Sequence, residues 1–270
     1  MHDNENNKLK FTIVTCTYNS AKFLKENISS VENQDYKYFE HLFIDAFSTD
    51  GTVNIIKDYQ LRYPDKVRLI QQEPKGISNA MNLGIKNAKG EIIIHLHSDD
   101  YFYINHVLSL VDKIFGNGSA MVVVGNCIYK KDDGLHSIWP KNRFVLWLFY
   151  KFMGAYLFFR NGIPHPSTFI KKEVFERRGK FLENLKVVMD YEMWFRLLKK
   201  EKFVFIKDFL SVYRAHGATV SGIYAEAGKK EIIGIYKKYR KQYFLEFIIS
   251  IIIIKPIVNI RNMIKRMLSS

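Results

Sequence analysis

The chain has 270 residues, of which 47% are hydrophobic and 25% are charged, and its formal net charge is +14. A chain of this length and apolar content can bury a full core, which excludes general intrinsic disorder. Its two cysteines, Cys16 and Cys127, are too few for a disulfide framework or a cysteine-based zinc cluster, so we expect reduced core thiols. The polar first ten residues lack the apolar segment of a secretory signal, which predicts a cytoplasmic protein.

The first half of the chain alternates apolar strand-like runs with amphipathic helical segments. Strands are predicted at FTIVTCTYN, HLFIDAF, KVRLIQQ and EIIIHLH, and helices at AKFLKENISSVENQ, VNIIKDYQLRY and GISNAMNLGIKNA. This alternation predicts a mainly parallel α/β sheet, which binds ligands beyond the carboxyl ends of its strands. The polar clusters TYN, DAFSTD and HSDD lie at those ends, so we expect the site there.

The second half is less regular. AMVVVGNCIY predicts a strand, NGIPHPSTFI a loop entering a strand, and FVFIKDFLSVYRAHGATVS a strand pair and a loop. VVMDYEMWFRLLKK predicts an amphipathic helix with Tyr191, Trp194 and Phe195 on its core stripe. The aromatic run from Phe144 to Phe159 is apolar on every side, which fits either a buried helix or a surface in lipid.

A basic tail follows the main domain. We expect a domain over residues 1–225, with a nucleotide-binding half at about 10–100 and an acceptor half at 101–225, and a tail over 226–270. From residue 229 onward the tail has ten Lys and Arg against two Glu, and its apolar run is too short to span a bilayer. Beyond Pro256 the pattern is that of an in-plane interfacial helix, which predicts an anionic membrane surface as partner rather than nucleic acid. A helix docked on the protein's own core or a dimer seam is the alternative.

Asp99 and Asp100 are paired carboxylates at the end of an apolar strand. Two such charges repel each other unless a cation, a basic partner or solvent compensates them. Mg²⁺ or Mn²⁺ suits oxygen ligands and commonly shares its coordination shell with substrate phosphates. Taken alone, a cap at the strand end explains the pair equally well.

The ordered series TCTYN, IDAFSTDGT, KGISNAMNLGI, GEIIIHLHSDD, HPSTFI and VMDYEMWFRL resembles the family 2 glycosyltransferases. These are GT-A-fold enzymes that move a sugar from a nucleoside diphosphate, such as a UDP- or GDP-sugar, with inversion. The resemblance covers about residues 10–222 and is strongest to a branch that acts in bacterial polysaccharide and lipopolysaccharide assembly. It implies a glycan acceptor, and the aromatic run together with the basic tail predicts a lipid-linked acceptor and a peripheral position at the inner face of the cell membrane.

The resemblance also implies roles for individual residues. Asp190 would be the general base that deprotonates the acceptor hydroxyl, and Asp99, with Asp100 as second choice, would hold a divalent cation, Mn²⁺ or Mg²⁺, on the two phosphates. The residues implied to contact the donor are Thr15, Thr17, Tyr18, Asn19, Asp45, Lys75, Gly76, Asn79, Asn82, His97 and Ser98. Less specific diphosphate or acceptor roles fall to His165, Arg214 and His216.

The sequence departs from the family pattern at several of these positions. Ala46, Asn79 and His97 stand where the family often has Asp, and Met189 replaces the Glu that usually precedes the base. Pro74, before Lys75, makes the donor contacts there the least defined. A neutral imidazole at His97 could ligate Mn²⁺ or donate a hydrogen bond to the donor, and we favour the hydrogen bond because relatives with Asn there do not need a strong ligand.

Each singled-out residue also has a structural interpretation. Asp45 could cap the turn at 48–51, Asp190 could be an exposed helix residue with Glu192 as the fallback base, and His165 could be a packed loop residue. Arg214 and His216 could belong to a solvated turn. At the level of function, the alternatives are a nucleotidyltransferase of related fold and a non-catalytic, membrane-attached nucleotide-sugar binder. The first usually has a Gly-rich basic loop where this chain reads TYNSAKFL.

Overall fold

The computed structural model describes residues 9–131, 134–137, 152–214 and 225–256. The strands are β1 (Phe11–Thr17), β2 (Phe39–Asp45), β3 (Val67–Gln71), β4 (Ile92–His95), β5 (Tyr101–Phe102), β6 (Val122–Lys131), β7 (Gly134–Ser137), β8 (Thr168–Lys171) and β9 (Phe203–Arg214). The helices are α1 (Ala21–Glu32), α2 (Thr52–Arg62), α3 (Ile77–Asn87), α4 (Val107–Gly116), α5 (Met153–Leu157), α6 (Lys172–Arg178), α7 (Met189–Leu198), α8 (Ala225–Tyr239) and α9 (Phe244–Ile249). A 3-10 turn at His165–Ser167 precedes β8, and a π-helical turn at Ser250–Ile254 follows α9.

The strands form one mixed sheet in the order β3-β2-β1-β4-β8-β6-β9-β5, with β7 paired to β6. The first four strands along the chain pair in parallel, as predicted, and β8 lies antiparallel between β4 and β6. The predicted α/β class is confirmed. Because β1, β2 and β4 are parallel neighbours, their carboxyl ends meet at one edge and bring the polar clusters after them together.

Both faces of the sheet are covered by helices. On one face, Val14, Leu42 and Ile93 pack with residues of α3, α7 and α8 in the largest hydrophobic cluster. On the other, Phe11 and Ile13 pack with residues of α4. The inner strands are buried at every position, which explains why their sequences lack the regular apolar–polar alternation of a strand with one exposed face.

The strand pair predicted within residues 203–221 is wrong, because the structure has one continuous strand there, β9. β9 runs parallel to β6, and the register shifts on either side of Asn126. The Asn126 side-chain amide donates a hydrogen bond of 2.7 Å to the carbonyl oxygen of Lys207, beside this irregularity. The polar pair Lys207 and Asp208 therefore sits at a register shift within the strand rather than in a turn between two strands.

The C-terminal helices extend the main core. Ile235, Tyr239 and Tyr243 are buried in the same cluster as α7, so the boundary predicted at 225/226 does not separate two packing units. The helix α8 therefore packs on the main core through Ile235 and Tyr239. Among the residues that the structure describes, no helix is long and apolar enough to cross a membrane. The in-plane helix predicted beyond Pro256 lies outside those residues, as does the aromatic run from Phe144 to 151.

Candidate functional site

The loops after β1 and β2 form one hydrogen-bonded unit at the edge of the sheet. Asn19, in a left-handed conformation with φ of 48°, accepts a hydrogen bond of 2.9 Å from the Thr49 amide on its side-chain oxygen. Its own amide donates to the Ser48 hydroxyl at 2.9 Å. Tyr18 and Phe47 project from the two loops with exposed fractions of 64% and 48%. These exposed rings offer flat apolar surfaces beside a polar rim.

Asp45 is fully buried beneath this unit and braces the turn that follows β2. Its two carboxylate oxygens accept hydrogen bonds from the Thr17 hydroxyl, the Ser48 amide and hydroxyl, and the Gln71 side chain. Four donors saturate a carboxylate. The structure therefore favours the turn-capping interpretation of Asp45 over direct contact with a nucleotide, and it gives Thr17 a supporting role.

The structure also favours a structural role for Thr15 over the predicted contact with a nucleotide. The side chain is fully buried, and its hydroxyl donates to the Leu96 carbonyl oxygen at 2.7 Å and lies 2.8 Å from Nε2 of His41. A threonine buried inside the sheet needs such partners because an unpaired buried hydroxyl is costly. Thr15 thus links β1 to His41 of β2 and to the end of β4 from inside the sheet.

The residues around α3 that are predicted to contact the sugar donor fall into two groups. Some are exposed, and the others are hydrogen-bonded to protein groups. Lys75 and Gly76 are exposed in the loop before the helix, where Gly76 has a φ of 93°. The Asn79 amide donates to Glu183 at 2.9 Å. Asn82 is nearly buried, with its side chain hydrogen-bonded to Glu183 and to both backbone groups of Phe181. Asn82 therefore holds the loop before α7, which explains its position better than contact with a donor does.

Asp99 and Asp100 have different environments at the end of β4. Asp100 is buried and accepts the Arg214 amide at 3.0 Å, and burial together with the Asp99 charge raises its pKa well above the ordinary value. Asp99 is partly exposed at the edge of the sheet. Ser98, beside it, donates its hydroxyl proton to the Ser20 hydroxyl at 2.9 Å. Asp99 is therefore the better placed of the two to meet a cation.

Arg214 lies beside this pair but is engaged by protein groups. Its guanidinium forms an ion pair with Glu26, stacks over Phe23 at 4.5 Å, and donates from Nε to the Asp99 carbonyl oxygen at 3.2 Å. These contacts hold the end of β9 against the end of β4. The contact of Arg214 with a diphosphate therefore stays a prediction, and His216 lies outside the described residues.

Three histidines form a cluster that leads from the end of β4 toward α7. The ring centroid of His165 lies 5.5 Å from that of His95, 5.4 Å from that of His97 and 6.0 Å from that of Trp194. Burial lowers the pKa of all three histidines, that of His95 to about 3, so the rings are neutral. Nδ1 of His97, Nε2 of His165 and Nε1 of Trp194 are buried without a hydrogen-bond partner among the described residues.

The residues at the end of β4 fit a cation that is bound mainly through a substrate. No group of three or more His, Cys, Asp or Glu within the described ranges could hold a metal by itself. Mg²⁺ and Mn²⁺ bound to nucleotide substrates need only one or two protein ligands, since phosphate and water oxygens supply the rest. Asp99 can be one ligand, and the unpaired Nδ1 of His97, two residues earlier, is a second group in its neighbourhood.

Asp190 lies in the first turn of α7 and is partly buried. One carboxylate oxygen accepts the Tyr191 amide at 2.7 Å, and the other accepts the Asn161 side-chain amide at 3.1 Å. Burial raises the pKa of Asp190 to about 6, against the opposing effect of these two hydrogen bonds. A carboxyl that titrates near neutral pH and is held in one orientation suits proton abstraction.

Glu192, the fallback base, is excluded by its surroundings. It is 1% exposed, and its carboxylate contacts Arg196, Lys238 and the Tyr239 hydroxyl. All of these are ion-pair or hydrogen-bond partners within the protein, so Glu192 is a structural anchor between α7 and α8.

Asn161 is a site residue that the sequence did not single out. It precedes the Gly-Ile-Pro-His loop, and its amide hydrogen-bonds Asp190 from 29 residues away. Its position in a polar loop before the proline pair was the only local signal.

Comparisons with known proteins agree with this architecture. A family model described as glycosyl transferase family 2 matches residues 12–179. An uncharacterized glycosyltransferase of Rickettsia typhi is 30% identical over 240 residues, which cover 86% of this chain and 73% of that protein. Three other rickettsial relatives are longer, and the chain spans 31–35% of their length.

Solved structures show the same fold. The crystal structure of Staphylococcus aureus TarS residues 1–349 in complex with UDP-GlcNAc matches with a TM-score of 0.69 and 19% identity, over 89% of this chain and 72% of that one. The mannosyltransferase PcManGT of Pyrobaculum calidifontis in complex with GDP-Man and Mn²⁺ matches with a TM-score of 0.65 and 18% identity, over 85% and 63% of the two chains. The sheet of β1 to β4 with its strand-end loops is thus the GT-A sheet. Because the family model covers more than half of the sequence and the fold agrees, the chain belongs to glycosyl transferase family 2.

Proposed function

We propose that this protein transfers a sugar, with inversion, from a nucleoside-diphosphate sugar to a hydroxyl group of a glycan or lipid-linked acceptor. The observation that carries the proposal is Asp190, an oriented carboxyl with a pKa of about 6 on a helix that also contributes to the histidine cluster. In the proposed mechanism, Asp190 takes the proton of the acceptor hydroxyl as that hydroxyl attacks the face of the sugar opposite the diphosphate. One carboxylate is enough for this chemistry.

The donor is proposed to bind across the strand ends. The exposed ring of Tyr18 offers a stacking surface for the base, and Asn19, Lys75 and Gly76 lie in exposed loops around it. Asp45 and Asn82 shape this region from below through their hydrogen bonds. UDP-GlcNAc and GDP-Man, which are bound in the two solved relatives, are the first two candidate donors to test.

Asp99 is proposed to hold a divalent cation on the diphosphate, with Ser98 and His97 nearby. When bound, such a cation neutralises charge on the departing diphosphate. The unpaired Nδ1 of His97 and Nε2 of His165 are proposed to hydrogen-bond the sugar or the acceptor, because buried polar atoms without protein partners mark positions where a ligand or water binds.

A screen of nucleotide sugars tests the reaction. Binding of UDP-GlcNAc, GDP-mannose and related donors is measured with and without Mn²⁺, and the release of nucleoside diphosphate is then followed with candidate acceptors. We expect one donor to bind only with the metal, and Asp190→Asn to keep binding while losing turnover. Binding without transfer to any acceptor favours the non-catalytic binder, and release of pyrophosphate from a nucleoside triphosphate favours a nucleotidyltransferase.

We also propose that the C-terminal segment attaches the enzyme to an anionic membrane, in keeping with a role in cell-surface polysaccharide synthesis. Phe244 and Leu245 are each 67% exposed, and Ile251 and Ile252 are exposed beyond them, while Tyr243 is fully buried. The excess of basic residues from 229 onward complements anionic lipid.

Flotation with vesicles of anionic or neutral lipid tests the attachment. We expect the full chain to float with anionic vesicles, and Phe244→Ser with Leu245→Ser to weaken flotation. Leu61→Ser, at an 81% exposed leucine on α2, is the matched control. Equal recovery of all variants in the unbound fraction rejects membrane attachment.

A further inference from the structure

We propose that Glu231, on α8, is a positioning residue that fixes Asp190 through the backbone at the start of α7. The inference rests on the proposed function, in which Asp190 is the base. It concerns a helix that follows the part of the chain matched by the family model, residues 12–179.

The geometry is a carboxylate bound by three consecutive backbone amides. One oxygen of Glu231 accepts the amide of Lys186 at 2.7 Å, and the other accepts the amides of Val187 and Val188 at 3.1 and 3.2 Å. Val188 caps α7, and Asp190 is the second residue of that helix. Glu231 therefore fixes the chain two residues before the base.

The amide of Val188, the N-cap residue of α7, needs such an acceptor because the first amides of a helix have no carbonyl partner inside the helix. A carboxylate also interacts favourably with the positive end of the helix dipole. The first turn closes directly behind it, where the Glu192 amide bonds to the Val188 carbonyl oxygen at 3.0 Å. Movement of the segment from 186 to 188 would thus be transmitted to Asp190 through rigid helical backbone.

Two further contacts hold α8 against the same turn. Lys238 and Tyr239 bind the Glu192 carboxylate at 2.7 and 2.6 Å. Near the start of α8, a Cβ atom on Gly228 would lie 3.3 Å from a methyl group of Val187, so the helix lies close against the segment that Glu231 binds. The first turn of α7 is thereby held by α8 on both sides of Asp190.

The loop before α7 is also tied to the donor side of the protein. The Ser78 hydroxyl of α3 donates to the Leu185 carbonyl oxygen at 3.1 Å, one residue before the amides that Glu231 binds. Asn82 holds the same loop further upstream, at Phe181. Glu231 therefore completes a frame that sets the base relative to the helix α3 at the donor end of the sheet. A misplacement of about 1 Å in a reacting group can cost about a hundredfold in rate.

The test compares Glu231→Ala, Glu231→Gln and Asp190→Asn with the wild-type full chain. Glu226→Ala is the matched control, since Glu226 lies on the same helix, is exposed, and pairs with Lys229 one turn away. Turnover is followed as UDP release from UDP-GlcNAc or GDP release from GDP-mannose, whichever donor the screen selects. The dissociation constant of that donor with Mn²⁺ and the amide hydrogen exchange of residues 186–192 are measured in parallel.

We expect Glu231→Ala to lower kcat about tenfold to a hundredfold, with donor affinity within about twofold of wild type and faster exchange at 186–192. Glu231→Gln retains one acceptor oxygen, so its kcat should lie between those of Glu231→Ala and the wild type. The inference is overturned if kcat of Glu231→Ala stays near that of wild type while Asp190→Asn is inactive, or if donor affinity and thermal stability fall in parallel with kcat. Full turnover of Asp190→Asn would instead remove the proposed base, and the premise with it.

Discussion

Asp190 gives a prediction about how activity depends on pH. Burial raises its pKa from 3.8 to about 6, and the Tyr191 amide and the Asn161 side chain limit that rise by stabilising the ionised form. Because a general base acts only when ionised, activity should increase as the pH rises through this pKa. At pH 5, about one tenth of the molecules would have an ionised Asp190, so we expect kcat/KM to be about tenfold lower than at pH 8. An ordinary aspartate would be more than about nine-tenths ionised at pH 5.

The assay is nucleoside-diphosphate release at saturating Mn²⁺ from about pH 5 to pH 8, with donor binding measured separately at each pH. The separate binding curve is needed because burial also raises the pKa of Asp100, at the end of β4. Asn161→Ala removes one of the two donors that favour the ionised carboxylate, so it should move the acidic limb to higher pH. Tyr103→Ala, at an exposed tyrosine of the β5–α4 connection, is a control that should leave the limb in place.

A flat profile between pH 5 and pH 8 would refute the reasoning about Asp190, provided that donor binding is also flat. So would an acidic limb near pH 6 that survives in Asp190→Asn with unchanged shape. A limb that moves to lower pH in Asn161→Ala would show that this contact does not stabilise the ionised form.

Three further predictions concern other parts of the molecule. His97→Asn should keep most activity and its Mn²⁺ dependence in the release assay, whereas a loss of Mn²⁺ affinity of about tenfold or more would indicate direct ligation. Glu192→Gln should lower the free energy of unfolding by about 2 kcal/mol, because the neutral side chain loses the charged contacts of the buried carboxylate with Arg196 and Lys238. Chemical denaturation measures this, and a change below about 0.5 kcal/mol would contradict the anchoring role. Gly90→Ala should destabilise the fold by about 3 kcal/mol, because the new Cβ would lie 2.4 Å from backbone of β1. Gly118→Ala, with no atom within 4 Å of its Cβ, is the thermal-denaturation control, and equal melting temperatures for the two would contradict the packing argument.

The parallel half of the fold could be predicted because its signals are local. β1 and β4 are rich in apolar residues, and polar residues follow each of them where the strand ends. Local sequence signals of the same kind also predicted that Asp99 follows a strand and that Asp190 lies at the start of a helix. β9 was misread because its polar residues lie at a register shift with β6, and that shift depends on a partner strand far away in sequence.

The supporting contacts of the site were beyond sequence reasoning for a different reason. Thr15 and Asp45 have the residue types of ligand contacts, yet their hydrogen-bond capacity is used by His41, Leu96 and the turn after β2. Glu231 reaches the start of α7 from 44 residues away, and a single sequence gives no sign of such a pairing. The residue types indicated where polar side chains lie, but only the tertiary structure shows which groups they hydrogen-bond.

The loop from Gly179 to Val188 has a consequence for exchanging specificity between relatives. It is bound at Phe181 by Asn82 of α3 and at its end by Glu231 of α8. Suppose that a chimera takes residues 101–225 from another enzyme. The imported loop would then have to pack against α3 and α8 of this protein, and neither helix would be its own partner. Grafts that transfer the loop together with both of its partners preserve the bracing, whereas a cut at the end of the family match, residue 179, separates the loop from Asn82.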